Sequence, residues 1–132
     1  MILVDTSVLI GFLRGTTGRQ IDKFTEIIKN EIPFGINNFI YQEVLQGAKT
    51  IKEFNLLKEY LGSQKFYTLQ HGRKSYESAA QLYLRCRNNG ITVHSTIDML
   101  IAQTAIENSL YILHDDRDFS LIATVEPRLK EY

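Results

Sequence analysis

Carboxylates carry whatever chemistry this sequence holds: Asp5, Glu43, Asp98 and the run Asp115-Asp116-Arg117-Asp118. Asp5 closes a short apolar run, Ile2-Leu3-Val4, of the kind that forms a strand buried on both faces, and Thr6-Ser7 follow it. In open parallel α/β sheets, ligands bind at the strands' carboxyl ends, where such a residue sits. Taken alone, Asp5 is better explained as an N-cap for the next helix. Asp98 projects, in a helix over Thr96–Asn108, into an apolar face with Ile101, Ala102, Ala105 and Ile106. The pattern Ser95-Thr96-Ile97-Asp98 is also a capping box. Asp116 and Asp118 follow the apolar run Tyr111–His114, again a strand end running into a helix start. The helix dipole accounts for one acid there, not three in four positions. Glu43 borders the apolar face of a helix over Phe39–Gln46, and a solvated helix-edge acid is its plain alternative.

Asp5, Asp98 and Asp116 stand at element ends that a parallel sheet aligns along one edge, and Glu43 projects from the helix after the second strand. Clustered carboxylates repel unless a cation or raised pKa values relieve them. No His/Cys ligand set competes, and no lysine is paired with them by position. An all-oxygen set suits a hard cation, Mg²⁺ or Mn²⁺, which polarises phosphoryl oxygens and activates water. The chemistry implied is phosphodiester or phosphate-ester cleavage.

The elements that must position these acids alternate. Strand-like runs lie at Ile2–Val4, Pro33–Ile36, Phe66–Leu69 and Tyr111–His114. The periodicity predicts helices over Val8–Leu13, Arg19–Lys29, from Asn37 or Asn38 to Gly47, Ile51–Leu61, Gly72–Asn89, Thr96–Asn108 and Phe119–Ala123. Ile21, Phe24, Ile27 and Ile28 share one side of the second helix. Tyr76, Ala79, Ala80, Tyr83 and Leu84 form the expected inner face of the longest, which makes Tyr76 and Tyr83 core residues. Gly15-Thr16-Thr17-Gly18 is a turn-rich loop. This order points to an α/β fold with a mainly parallel central sheet flanked by helices. No internal repeat, low-complexity tract or linker divides the chain, so residues 1–132 are expected to form one domain that buries about two-thirds of its unfolded surface.

Hydrophobic residues make up 44% and charged residues 23%, a globular balance rather than a disordered one. No apolar run approaches the ~20 residues of a membrane span, and the N-terminus lacks a signal-peptide pattern. Cys86 is the single cysteine, so an internal disulfide or cysteine zinc site is excluded and a cytoplasmic setting is expected. Fifteen basic and fifteen acidic side chains give zero net charge. Setting aside four metal-bound acids leaves a surplus of +4, so charge neither requires nor excludes a nucleic-acid partner.

The residues Ile2-Leu3-Val4-Asp5-Thr6-Ser7, Tyr41-Gln42-Glu43-Val44-Leu45-Gln46-Gly47, Asp98-Met99-Leu100-Ile101-Ala102 and Leu113-His114-Asp115-Asp116-Arg117-Asp118-Phe119 resemble, in order, the PIN domain. More narrowly they resemble the VapC-type toxins of toxin–antitoxin pairs. The resemblance implies a parallel sheet flanked by helices and Mg²⁺- or Mn²⁺-dependent endoribonuclease activity. It carries an acidic, metal-holding quartet over to Asp5, Glu43, Asp98 and Asp116, with Asp118 as an additional acid. It also implies that one or two cations face an RNA phosphate and activate water, so that no side chain acts as a covalent nucleophile. Thr6 or Ser7 matches a hydroxyl that supports the metal shell, with capping as its alternative. His114 departs from the threonine or serine frequent there; it could orient a water or phosphate, or be a solvated strand-end imidazole.

For RNA contact the candidates are Arg14, Arg19 and Lys23 around the glycine loop, and Arg117 beside the acids. The resemblance further implies a homodimer and a cognate antitoxin, for which apolar residues on Ile51–Leu61 offer contacts, though packing explains them too. Two rival readings remain. A haloacid-dehalogenase-like phosphatase needs an Asp-x-Asp pair after the first strand, and position 7 is Ser. A PIN-like module that binds RNA or protein without cutting would have no need of the intact quartet.

Overall fold

A computed structural model describes residues 1–132. Five strands, all parallel, form one sheet in the order β3-β2-β1-β4-β5. They are β1 (Ile2–Val4), β2 (Phe34–Ile36), β3 (Lys65–Phe66), β4 (Tyr111–Leu113) and β5 (Lys130–Glu131). Seven helices connect and cover them: α1 (Thr6–Leu13), α2 (Arg19–Lys29), α3 (Asn38–Gln46), α4 (Ile51–Gly62), α5 (Arg73–Asn88), α6 (Thr96–Glu107) and α7 (Arg117–Val125).

β1 lies at the centre, paired with β2 on one side and with β4 on the other, Val4 in register with Leu113. The chain builds outward from β1 to β2 and β3, then returns to place β4 and β5 on the opposite flank. The strand order therefore reverses between β1 and β4, and the crevice beyond their carboxyl ends is where open α/β sheets bind ligands. Both strands are buried apart from the first residue of β4, as their continuous apolar sequences require.

Local chemistry fixes where the helices start. Asp5 caps α1, Asn37 caps α3 by accepting from the Ile40 amide at 2.9 Å, and Thr50 caps α4. Ser95 caps α6 and Asp116 caps α7. Three of these capping residues stand at the carboxyl ends of β1, β2 and β4, so the residues that end strands also start helices. α6 is the spine of the packing: Met99 to Ile106 are all buried. Ala102 and Ala105, both fully buried, let it press against its neighbours.

The sequence pattern misplaces some faces. The buried stripe of α5 is Ser75, Ala79, Leu82 and Cys86, while Tyr76 is 51% and Leu84 46% exposed, and Ala80 is exposed too. Both stripes have helical spacing, and the larger side chains lie on the outer one. There Tyr76 and Tyr83 border a cavity of about 390 Å³ with Thr96, Met99 and Leu100; Tyr83 is half-buried and still packs against the core, and Tyr76 does not. Ile51 and Ile28 also turn outward, and the third strand ends at Phe66 rather than Leu69. β5, only two residues long, is an element the pattern does not announce.

Candidate active site

Asp5 leaves β1 with its amide donating to the Leu113 carbonyl of β4 at 2.9 Å, so its backbone still belongs to the sheet. Its carboxylate turns into the crevice and is 3% exposed. Oδ2 accepts from the amide and hydroxyl of Ser7, at 3.0 and 2.6 Å. Oδ1 is buried and has no hydrogen-bond partner. Burial raises the Asp5 pKa; the Ser7 and Thr6 hydrogen bonds oppose that rise, and the Glu43 charge adds to it. Capping and site-building are thus divided between its two oxygens.

Asp98 stands half-buried in the first turn of α6. The helix dipole favours the anion there, by an amount on the order of 0.3–1 kcal/mol. Other forces win: its pKa is raised to about 7, first by desolvation, then by the charges of Asp116, Asp5, Glu43 and Asp118. Those four perturbers are the other three members of the acidic quartet and the additional acid Asp118. The fold has brought together side chains from four segments of the chain, close enough for their charges to act on Asp98.

The remaining acids are individually held. Glu43, half-buried on α3, accepts from Thr6 Oγ1 at 2.7 Å. Asp116, the α7 cap, accepts from the Asp118 amide at 2.9 Å. Asp118 is buried and accepts from His94 twice, from the backbone amide at 3.1 Å and beside Nδ1 at 3.2 Å. The two hydroxyls beside Asp5 hold carboxylates: Thr6 engages Glu43, and Ser7 engages Asp5 while its Oγ accepts from the Asp115 amide at 2.9 Å. Asp115 itself is exposed.

His114 corrects the expectation of a solvated imidazole. It is 5% exposed, Nε2 lies 2.7 Å from Glu131 Oε1, and Nδ1 accepts from the Asp116 amide at 3.1 Å. β5 delivers Glu131 to that position beside β4, a placement that tertiary packing sets and no local pattern announces. With both nitrogens engaged, the ring is not free to orient a water or phosphate.

Of the basic candidates, Arg117 lines an open, wholly polar depression with Gln20, His114, Asp115, Asp116 and Ser120. Arg19 is exposed at the start of α2. Lys23 donates to the Tyr132 carbonyl at 2.9 Å, and Arg14 lines a small hollow with Val44, Gly47 and Leu57. His94, Gln20 and Glu131 are the site neighbours that sequence reasoning missed. His94 precedes Asp98 by four residues, a spacing with no motif behind it.

The donor set fits a hard divalent cation in its chemistry: carboxylate oxygens, one of them buried and unpartnered, and an acid whose proton is retained to about pH 7 by burial and by its neighbours' charge. No three His, Cys, Asp or Glu side chains stand close enough together to hold one ion as they lie. Sharing an ion would require the carboxylates to draw inward.

The PIN domain family model matches residues 2–125. The chain belongs to the PIN domain family. Among curated PIN relatives, a VapC ribonuclease of Mycobacterium bovis is 29% identical over 126 residues, covering 95% of this chain and 93% of the relative. Ribonuclease VapC11 of Mycobacterium tuberculosis matches with the same identity and coverage. Among solved structures, VapBC2 of Rickettsia felis bound to a promoter DNA fragment aligns with a TM-score of 0.73 at 14% identity, over 100% of this chain and 98% of that one. A toxin–antitoxin complex from Klebsiella pneumoniae aligns with a TM-score of 0.69 at 20% identity, over 98% and 99%. These two structures share the PIN fold that brings the acids together here.

Proposed function

We propose that this PIN domain, residues 1–132 acting as one unit, is a divalent-metal-dependent endoribonuclease and the toxin of a type II toxin–antitoxin pair. The observation that carries the reading is the convergence of Asp5, Glu43, Asp116 and Asp118 on Asp98, whose charges add to its burial in raising its pKa to about 7. A carboxylate cluster with no paired lysine or arginine is costly in a scaffold and useful in a cation site. The names of the two mycobacterial relatives support the same reading.

Asp5, Asp98 and Asp116, with Glu43, would hold Mg²⁺ or Mn²⁺. Bound there, the metal supplies Lewis-acid polarisation of the scissile phosphate and activation of water. The chain's own part is positioning. Ser7 fixes the Asp5 carboxylate, Thr6 fixes Glu43, and the Asp118 amide fixes Asp116. Asp118 braces the His94 loop against α7. Arg117, beside Asp116, contacts RNA phosphate, and Arg14, Arg19 and Lys23 extend the contact outward. Partners are the RNA, a cognate antitoxin and a second copy of the chain, in the cytoplasm. The exposed Ile51, Leu56 and Tyr60 on α4 support a protein partner. No helix is long and apolar enough to cross a membrane.

The test is cleavage of defined RNAs by purified protein with Mg²⁺, Mn²⁺ or EDTA, beside Asp5→Asn and Asp98→Asn. Cleavage that requires the ion and both acids is expected. Full cleavage by Asp5→Asn would falsify the assignment. One observation favours a non-cutting binding module: no three acids lie within reach of one ion. RNA binding by the wild type with no cleavage under any metal would establish that second reading.

A further inference from the structure

The acid read from the fourth strand's end, Asp116, does not hold its own place. Between β4 and α7 the chain has three residues; the first two are fastened by groups from α2 and α1, and the third by the ring of the first. The His114 carbonyl accepts from Gln20 Nε2 of α2 at 2.7 Å. The Asp115 amide donates to Ser7 Oγ of α1 at 2.9 Å. The Asp116 amide donates to His114 Nδ1 at 3.1 Å.

We propose that His114 is a positioning residue for Asp116, its buried ring fixing the peptide from which that carboxylate projects. A backbone amide can only donate, so Nδ1 presents a lone pair and the ring proton sits on Nε2. Nε2 then donates to Glu131 Oε1 at 2.7 Å. Glu131 is held in turn by the Ser120 hydroxyl, and its pKa is lowered by the Ser120 and His114 hydrogen bonds against partial burial. The ring also packs on Phe119 at 5.1 Å between centroids. The order of support runs from Ser120 of α7 and Glu131 of β5, through the imidazole, to the Asp116 amide. It has the form of a carboxylate–histidine pair that orients a metal-binding group, with the imidazole one step removed from the ion.

The inference rests on the metal-nuclease reading for its consequence and on hydrogen bonding for its geometry, so the experiment reads the two separately. An asparagine Oδ1 reaches the Nδ1 position and can accept from the Asp116 amide; a glutamine reaches the Nε2 position and cannot. In ¹⁵N-labelled protein, His114 is expected as the Nε2–H tautomer with a protected Asp116 amide. Asp116 amide exchange should rise at least tenfold in His114→Ala and His114→Gln and little in His114→Asn. Mn²⁺ affinity, followed by the signal of the free ion, should fall roughly tenfold in the first two and within twofold of wild type in the third. Equal melting temperatures in EDTA for Asn and Gln variants separate positioning from folding. An Nδ1–H tautomer, or amide exchange unchanged in His114→Ala, overturns the proposal. If wild type binds no Mn²⁺ and cuts no RNA, the nuclease reading fails, while the tautomer and exchange data still decide the positioning.

Discussion

Thr6 Oγ1 donates to Glu43 Oε1 at 2.7 Å, linking the first residue of α1 to an acid on α3. The bond crosses from the segment after β1 to the segment after β2, and it aims Glu43 towards the crevice that Asp5 enters. A hydrogen bond to a charged acceptor contributes about 1.5–3 kcal/mol. Thr6→Val keeps the shape and removes the donor. RNA cleavage should fall roughly tenfold or more on that magnitude, with a melting temperature close to wild type, and Thr6→Ser should restore it. A valine variant with undiminished cleavage would show that Glu43 needs no aiming.

Asp98 makes the protein's stability depend on pH. Native Asp98 keeps its proton to about pH 7, whereas an unfolded aspartate loses it near pH 4. The native state binds the extra proton between those values, so this contribution is fully present below about pH 4 and lost as pH rises through about 7. Asp98 is half-exposed, and solvent screening reduces the effect to about 1–2 kcal/mol. In EDTA, Asp98→Asn should melt a few degrees above wild type at pH 8, the gap closing towards pH 4. Equal melting curves at pH 8 would mean that neither burial nor the neighbouring charges disfavour the Asp98 anion in the native state.

The same fold sets the opposite trend at the acid end. Glu126 is buried against Arg128 and Arg85, and chiefly the Arg128 hydrogen bonds lower its pKa to about 2. Stability from this group is present above about pH 4.5 and lost as pH falls through about 2. Glu126→Gln should therefore cost stability at pH 7 and cost progressively less below pH 4, read by urea denaturation at each pH.

How much of this was legible follows from which forces are local. β1, β2 and β4 could be read because a strand buried on both faces is a continuous apolar run. The caps could be read because an oxygen two or three residues from an amide is a short-range matter. The acids could be read one by one, and the parallel-sheet rule set Asp5, Asp98 and Asp116 along one edge; their union with Glu43 in a single quartet came from a resemblance to a known family, since proximity across four segments is a property of topology. β5 and Glu131 were invisible: a two-residue, exposed strand has no period, and its place beside β4 is set by tertiary packing. The inner face of α5 was misread because side-chain size favoured Tyr76 and Leu84 over Ser75 and Cys86. Ser75 is buried with its hydroxyl bonded to Glu107 at 2.9 Å, a polar solution that hydrophobic patterning cannot see.

Gly35 predicts a purely structural failure. A Cβ there would lie 2.4 Å from Tyr67 Cε2 and 2.8 Å from the Lys65 carbonyl, which is β3 backbone. The ring could shift; the strand could not without parting from β2. Gly35→Ala should lower stability by about 1–3 kcal/mol, the usual range for overpacking. Divalent-ion affinity of the folded fraction should hold, because β3 lies on the flank away from β4. A loss of affinity at unchanged stability would contradict this separation.

Divalent-ion binding should also be coupled to protons, because Asp98 cannot ligate while protonated. Below about pH 7 an ion must displace that proton, so affinity should rise about tenfold per pH unit and flatten above pH 8. Titration calorimetry with Mn²⁺ in two buffers of different ionisation heat reads the proton released directly. About one proton per ion is expected at pH 6, and close to none at pH 8.5. In Asp98→Asn the release attributable to this acid should vanish along with most of the slope. A wild-type affinity independent of pH between 6 and 8 would remove Asp98 from the ligand set and leave the ion, if bound, to Asp5 and Asp116.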